Sequence, residues 1–256
     1  MKISRTAERW SPLVVLAGML LLWQGVVSLL GIPDYLFPGP VQIASEFVTY
    51  RDPLLAAAWK TFWVTMLGFG LSIAVGVLLG FLIGSSRLAY SALYPLMVGF
   101  NAVPKAAIVP ILVVWFGIGL GPGVLTAFLI SFFPITVNIA TGLATLEPEL
   151  EDVLRVLGAR RWDVLIKVGL PRSMPYFFAS LKVAITLAFV GTVLAEMTAG
   201  DSGIGYLMQT AGSQQRLPLA FAGLVLIGVM AMVMYELFSF IEKRTTGWAH
   251  RGSQAN

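Results

Sequence analysis

Cysteine is absent from the 256 residues, and histidine occurs only once, as His250 near the C-terminus. The lack of cysteine excludes disulfides and thiolate metal ligands, and one histidine cannot build a histidine-rich metal site. An intramembrane enzyme would need a convergent nucleophile, base or metal site within its spans, and the apolar segments contain no such set. Metal-dependent and nucleophilic catalysis are therefore disfavoured.

Charge is also scarce, since only 12% of the residues are charged while 57% are hydrophobic. A soluble domain carries about 25% charged residues, so lipid is the expected solvent. Several runs have the ~20 apolar residues that a membrane-spanning helix requires. The formal charge of +4 is better explained by basic flanks that set topology than by nucleic-acid binding. The composition predicts an all-α polytopic membrane protein.

The apolar runs predict about six spans in one transmembrane domain covering residues 1–256. No repeat or linker indicates a second domain. A short amphipathic helix at the membrane interface is predicted over 41–50, and 201–206 is predicted as a loop followed by about one helical turn. The predicted spans are 12–31, 61–84, 92–116, 123–145, 175–196 and 217–240.

Basic residues are distributed unequally between alternate loops. If the N-terminus is cytoplasmic, twelve Lys and Arg residues lie inside and three lie outside, with Lys105 and Lys182 within spans. The positive-inside rule then places both termini and residues 148–172 in the cytoplasm.

Small residues recur every four positions in the second span, at Gly68, Ser72, Gly76, Gly80 and Gly84. Such spacing allows helix backbones to approach closely in lipid. Packing within one subunit is the favoured interpretation, and a subunit interface is the alternative.

The segment 150–171, LEDVLRVLGARRWDVLIKVGLP, holds seven charged residues. Its apolar residues Leu150, Val153, Leu154 and Leu157 have helical spacing, and Gly158 can end that helix in a left-handed conformation. A second helix is predicted from about residue 160, ending before Pro171 and burying Trp162, Leu165 and Ile166. The alternative is a solvated loop that only fixes topology.

Gly158-Ala159, Leu170-Pro171 and Pro175 together resemble the cytoplasmic "EAA" loop of binding-protein-dependent ABC importer permeases. In that family the loop forms a coupling helix that docks on a separate ATPase subunit. Asp152 retains the family's carboxylate, whereas Val153 and Leu154 replace its small residues. The resemblance assigns docking to Asp152, Leu154, Leu157, Gly158, Ala159, Arg160, Arg161, Trp162, Leu170 and Pro171.

Further motifs are similar to the nitrate/sulfonate/taurine branch of these permeases. They are PKAAIVP at 104–110, WFGIG at 115–119, FFPITVN at 132–138, Ala195-Glu196 and GIGY at 203–206, within a family-like core of about 60–240. The resemblance implies the type I importer permease fold, a bacterial inner-membrane location and import of a small, anionic solute. It also implies a homodimer with two ATP-binding-cassette ATPase subunits and an extracytoplasmic substrate-binding protein.

No G-x-x-x-x-G-K-[ST] phosphate loop is present in the sequence. ATP and Mg²⁺ are therefore expected on the partner subunit, with no cofactor bound and no ATPase activity in this chain. A self-sufficient secondary transporter or channel is the main alternative, but it would be expected to carry more charged groups within its spans. A membrane scaffold that binds a cytoplasmic partner remains open.

Polar residues inside the spans are candidates for the translocation path. Lys105 between two prolines is predicted to face the path and attract an anion or, alternatively, to snorkel or to pair with a carboxylate. Asn101 and Asn138 either line the same path or form inter-helix hydrogen bonds, the latter being favoured. Glu196, at the external end of its span, is expected to meet the following loop as a gate or docking residue.

Overall fold

The computed structural model describes residues 5–144, 153–154 and 156–246, and every regular element in those ranges is helical. A 3₁₀ turn at Lys105–Ile108 and a π-helical turn at Leu165–Gly169 interrupt the α-helices. The α-helices are α1 (Arg5–Leu29), α2 (Pro40–Thr49), α3 (Arg51–Gly84), α4 (Arg87–Ala102), α5 (Val109–Phe116), α6 (Leu120–Ala144), α7 (Arg161–Val164), α8 (Leu170–Ala199), α9 (Ile204–Ser213) and α10 (Leu217–Thr245).

Five helical stretches are long and apolar enough to cross a membrane: Trp10–Leu29, Arg51–Gly84, Leu120–Ala144, Ile166–Ala199 and Leu217–Thr245. A sixth crossing arises if α4 and Lys105–Phe116, which meet at a bend of 72°, form one broken span. This architecture confirms the prediction of an all-α polytopic membrane protein with about six spans.

The third predicted span, 92–116, is a broken helix instead of a continuous one. Its break lies at Val103, whose backbone is extended with ψ 127°. The residue before a proline is sterically biased away from the helical region, so Pro104 ends α4. Pro110 does not break the chain, because it occupies the first turn of α5, where no N–H donor is required.

The region after residue 203 is more helical than predicted. Instead of one turn, α9 has ten residues and buries Ile204 and Ala211. Ile204, Leu207, Met208 and Ala211 follow the i, i+3, i+4, i+7 pattern of an amphipathic helix. The spacing of these residues therefore predicts a helix, although the glycines at 203 and 205 favoured the prediction of a loop.

The small-residue stripe of α3 packs against α6. A Cβ atom on Gly68, Gly76, Gly80 or Gly84 would lie 2.5–2.9 Å from atoms of Ala127, Ile135, Ile139 and Leu143, respectively. Each of these glycines lies 59 residues before the α6 residue that it faces. Ser72 and Ser131 have the same separation and share a hydrogen bond of 2.7 Å. The two helices are thus parallel in a constant register, which confirms packing within the subunit.

The helix α8 runs antiparallel to α3 and α6. Its Gly191 faces the backbone of Ala127, where a Cβ would come within 2.9 Å, and Thr192 hydrogen-bonds to Thr65 at 2.9 Å. Nearer the opposite end, Lys182 Nζ forms an ion pair of 2.6 Å with Glu242 of α10. These contacts attach α8 along its length to the neighbouring helices.

The helix α2 confirms the short helix predicted over 41–50. It connects to α1 through Gln24, whose Oε1 accepts the Val41 N–H at 3.1 Å, and to α10 through the Glu46–Arg216 ion pair. Most side chains of α1 before Trp23 are exposed, so this helix is held mainly near its C-terminal end.

We predict that Gly80→Leu lowers the free energy of unfolding by ~1–3 kcal/mol, because the new side chain overpacks the α3–α6 contact. Gly70→Leu is the matched control on the same helix, since a Cβ there meets no atom within 4 Å. Thermal unfolding of the detergent-solubilised protein measures both. Equal loss in the two variants would contradict this account of the packing.

Candidate coupling segment and translocation path

Gly158 forms the predicted turn in the coupling segment (148–172). Its φ is +88°, the left-handed region that favours glycine, and the Ala159 N–H donates to the Leu154 carbonyl at 3.0 Å. In a Schellman C-cap, the N–H of the second residue beyond the helix (here Ala159) donates to the carbonyl of the third helical residue from its end (here Leu154). The expectation that Gly158 ends a helix is confirmed.

Asp163 organises the chain after this turn. Its Oδ2 accepts the Arg160 N–H at 3.2 Å, which caps the start of α7, and its Oδ1 pairs with Lys167 Nζ at 3.1 Å. The hydrogen bond from Lys167 and then that from Arg160 lower the pKa of Asp163 below its usual range. Asp163 therefore remains ionised at neutral pH as the cap of α7.

Apolar side chains around the turn face solvent. Leu157 is 78% exposed, Val156 is 87% exposed and Leu154 is half-buried. A cavity of about 340 Å³ lies beside them, lined in part by Gly158, Ala159 and Lys167. This arrangement offers an apolar surface that no other part of the described chain covers.

The second helix of the segment differs from the prediction in which residues it buries. Ile166, expected to be buried, is 55% exposed, whereas Val164 is 5% exposed. The π-helical turn at Leu165–Gly169 shifts the phase of the side chains, because its hydrogen bonds span one residue more than α-helical ones. Asp152 lies outside the described residues, as do the side chains of Arg161, Trp162 and Leu165.

The prediction that this helix ends before Pro171 is wrong. The π-helical turn leads directly into α8, with Leu170 and Pro171 as its first residues, both exposed. Proline is tolerated in the first turn of an α-helix because the missing N–H has no partner there. The coupling segment is therefore continuous with the 30-residue helix α8.

Lys105 and Asn101 lie together at the break between α4 and the 3₁₀ turn. Lys105 Nζ donates to Asn101 Oδ1 at 2.7 Å and also to the Asn101 carbonyl oxygen. The last carbonyls of a helix lack intrahelical donors and carry partial negative charge, so a lysine here caps α4. Among the described residues no ion pair joins Lys105 to a carboxylate, and Asn101 supplies its hydrogen-bond acceptors instead.

Among the described residues, Asn138 makes no inter-helix hydrogen bond of the kind favoured from the sequence. Its Nδ2 donates at 2.8 Å to the carbonyl of Pro134, one turn earlier in α6. This local bond satisfies the amide within its own helix. No hydrogen bond among the described residues joins Asn138 to Asn101 or Lys105.

Glu196 contacts the segment that follows α8, as expected, and is buried with 8% of its surface exposed. Thr61 Oγ1 donates to the carboxylate, lying 2.9 Å from both oxygens, and Gly205 N–H donates to Oε2 at 2.8 Å. The Ile204 N–H in turn donates to Thr61 Oγ1 at 2.8 Å. This cluster connects α3, α8 and the start of α9 at the predicted external end.

Thr61 was missed as a partner of Glu196. It is 135 residues away in the sequence, and nothing local connects the two. The stripe of small residues on α3 nevertheless continues N-terminally to Thr65, three residues before Gly68, and to Thr61, four residues before Thr65, and steps of three and four stay on one face of a helix. Following that spacing would have placed Thr61 on the buried face of α3.

Known proteins resemble this chain over most of its length. A family model described as "Binding-protein-dependent transport system inner membrane component" matches residues 72–247. A probable ABC transporter permease protein of Haemophilus influenzae is 32% identical, with 88% of this chain and 91% of the relative covered.

Two further relatives have named solutes. The formylaminopyrimidine transport permease of Halalkalibacterium halodurans is 27% identical, covering 96% of this chain and 98% of the relative. The taurine transport system permease of Escherichia coli is also 27% identical, covering 91% of this chain and 87% of the relative.

A solved structure shares the fold. The inward-facing MetNI methionine ABC transporter contains a chain that superposes with a TM-score of 0.66 at 18% identity. The match covers 75% of this chain and 96% of that one.

We predict that Gly158→Ala destabilises the turn by roughly 1–2 kcal/mol, the cost of a left-handed conformation for a residue with a Cβ. No atom lies within 4 Å of a Cβ at this position, so the effect is conformational and not steric. Gly158→Asn is the control, because asparagine tolerates this region better. Faster amide hydrogen exchange at Ala159 in the alanine variant is expected, and unchanged protection there would refute it.

Proposed function

Because the chain belongs to the family of binding-protein-dependent transport system inner membrane components, we propose that it forms, with a second copy of itself, the transmembrane pathway of an ABC importer. The chain is a multi-pass permease component of such a transporter. In the proposed complex, residues 1–256 form one transmembrane domain in a bacterial inner membrane, with both termini cytoplasmic. Two ATPase subunits bind ATP and Mg²⁺, and an external binding protein delivers the solute.

The exposed apolar turn at Gly158 is the observation that supports ATPase docking. Leu157 projects from a turn whose backbone is fixed by the C-cap on one side and by Asp163 on the other. A rigid apolar anchor with charged neighbours is suited to a groove on a protein partner. A loop that served only to fix topology would not need this ordered apolar surface.

The continuity of the coupling segment with α8 supports transmission of movement. From Leu170 to Ala199 the helix has 30 residues, which at 1.5 Å per residue gives a length of about 45 Å. A displacement of the docked segment is therefore carried to the predicted external end by one continuous helix. Transport in this proposal is a shift between two global states driven by ATP binding on the partner subunits.

An anionic solute is proposed from Lys105 and from the resemblance of several motifs to the nitrate/sulfonate/taurine branch. Lys105 is a cation at a helix break and the only charged residue of the predicted span 92–116. The named relatives carry different solutes, which is consistent with selection of the solute by the binding protein. Lys105 would then contribute attraction along the path and not specificity.

We predict that Leu157→Asp abolishes co-purification with the ATPase subunit while the chain still inserts, because a charge replaces the apolar anchor. Leu157 is exposed in the protomer, so the substitution does not disturb its core. Gln215→Asp adds the same charge at the predicted external end, where the positive φ of residue 215 suits aspartate. Undiminished ATPase binding by the Leu157 variant would argue against docking at this turn.

We predict that Lys105→Gln lowers uptake of the anion about tenfold, a change equivalent to ~1.4 kcal/mol, while Lys105→Arg retains it. Glutamine keeps an N–H donor toward Asn101 but loses the positive charge, whereas arginine keeps both. Comparing the two variants therefore separates electrostatic attraction of the anion from capping of α4. Uptake by the reconstituted complex, driven by ATP and the loaded binding protein, is the measurement. Wild-type uptake by the glutamine variant would assign Lys105 to capping alone.

A further inference from the structure

Glu196 carries a carboxylate that the bundle buries without a cation. None of the ion pairs within the described residues involves it, and its partners are the Thr61 hydroxyl and the Gly205 N–H. Burying a polar group is costly unless its hydrogen-bonding capacity is used. The burial of the Glu196 carboxylate is therefore explained by its hydrogen bonds to the Thr61 hydroxyl and the Gly205 N–H.

The segment after α8 is shaped around this carboxylate. A Cβ on Gly203, whose φ is +94°, would come within 2.2 Å of Glu196 Oε1, and a Cβ on Gly205 within 2.7 Å of Glu196 Cβ. A Cβ on Gly200 would meet the Glu196 carbonyl oxygen at 2.5 Å. Gly203 and Gly205 thus allow the segment to lie close to the Glu196 side chain, and Gly200 allows it to turn close to the Glu196 backbone.

The same segment forms part of a cavity of about 400 Å³ at the predicted external end. Asp201 and Ser202 line the cavity together with Lys60, Trp63 and Glu196 itself. The position of residues 200–205 therefore determines the shape and charge of this external surface. Glu196, in the last turn of α8, connects that surface to the helix that begins at the coupling segment.

We propose that Glu196 is a positioning residue that couples docking of the binding protein to α8. Its hydrogen bonds, and not its charge, hold residues 200–205 and the start of α9 in the arrangement that the loaded binding protein engages. This inference rests on the proposed function, because it assigns the external surface to that partner. The inference concerns only the external end, so assembly with the ATPase is independent of it.

The hydrogen-bonding geometry explains why charge is dispensable. A glutamine at position 196 can accept the Gly205 N–H through its oxygen and donate to Thr61 Oγ1 through its amide, which leaves Thr61 free to accept the Ile204 N–H. Alanine removes both interactions, and Thr61→Val removes the hydroxyl that joins α3 to both partners. Glu196→Gln is thus the conservative variant, and Glu196→Ala and Thr61→Val are the disruptive ones.

The test uses the full chain assembled with its ATPase subunits in lipid nanodiscs, with ATP hydrolysis measured alone and with the loaded binding protein. Glu196→Ala and Thr61→Val should reduce the stimulated increment roughly tenfold, a factor in keeping with the net loss of one or two buried hydrogen bonds, and leave basal hydrolysis unchanged. Glu196→Gln should retain stimulation. Thr65→Val is the matched control, since Thr65 is equally buried on α3 but its hydroxyl bonds to Thr192 and to the Thr61 backbone carbonyl, and not to Glu196.

Amide hydrogen exchange at Ile204 and Gly205 provides a readout in the chain itself. Exchange should accelerate in Glu196→Ala and Thr61→Val and remain slow in Glu196→Gln. If the glutamine variant loses stimulation as fully as the alanine variant, charge is required and the proposal is overturned. Parallel loss of basal and stimulated hydrolysis, or wild-type stimulation in the alanine variant, also overturns it.

Failure of the proposed function gives a different result. A wild-type complex that shows no ATPase binding or hydrolysis contradicts the importer assignment. In that case the exchange measurements still report whether Glu196 orders residues 200–205. The two hypotheses therefore fail separately.

Discussion

The close approach of α3 and α6 is the contact on which the rest of the bundle depends. Glycines on α3 allow its backbone to lie against Ala127, Ile135, Ile139 and Leu143 of α6 in one constant register. Because lipid tails are as apolar as the side chains, helices in a membrane are held by packing and hydrogen bonds more than by the hydrophobic effect. This register fixes the position of α3 along α6, and therefore the position at which Thr61 of α3 contacts Glu196 of α8.

The fold was largely predictable where local chemistry decides it. Composition and apolar runs are sufficient to predict the spans, and the left-handed turn at Gly158 follows from glycine's lack of a Cβ. Prediction failed where the helix changes type. The π-helical turn at Leu165–Gly169 displaces the side-chain period, so the constant 3.6-residue repeat that predicted burial of Ile166 does not hold there, and Ile166 is exposed.

The candidate site was less predictable, because its contacts join residues far apart in the sequence. Periodicity predicts which face of a helix is buried but not the partner that covers it. Thr61 meets Glu196 across 135 residues, and Lys182 meets Glu242 across 60. Asn101 and Lys105 are the exception, since their spacing of four residues allows a contact across the helix break. The docking role of the coupling segment remains a prediction.

Glycine turns with positive φ flank the helical stretch that contains α8. At one end Gly158, with φ +88°, precedes the coupling helix, and at the other Gly203, with φ +94°, follows Glu196. Between them the chain is helical from Arg161 to Ala199, apart from the change of type at 165–169. Hydrogen bonds hold the backbone at both turns, so a displacement at one is transmitted along the helix instead of being absorbed locally, as the proposed coupling between the two surfaces requires.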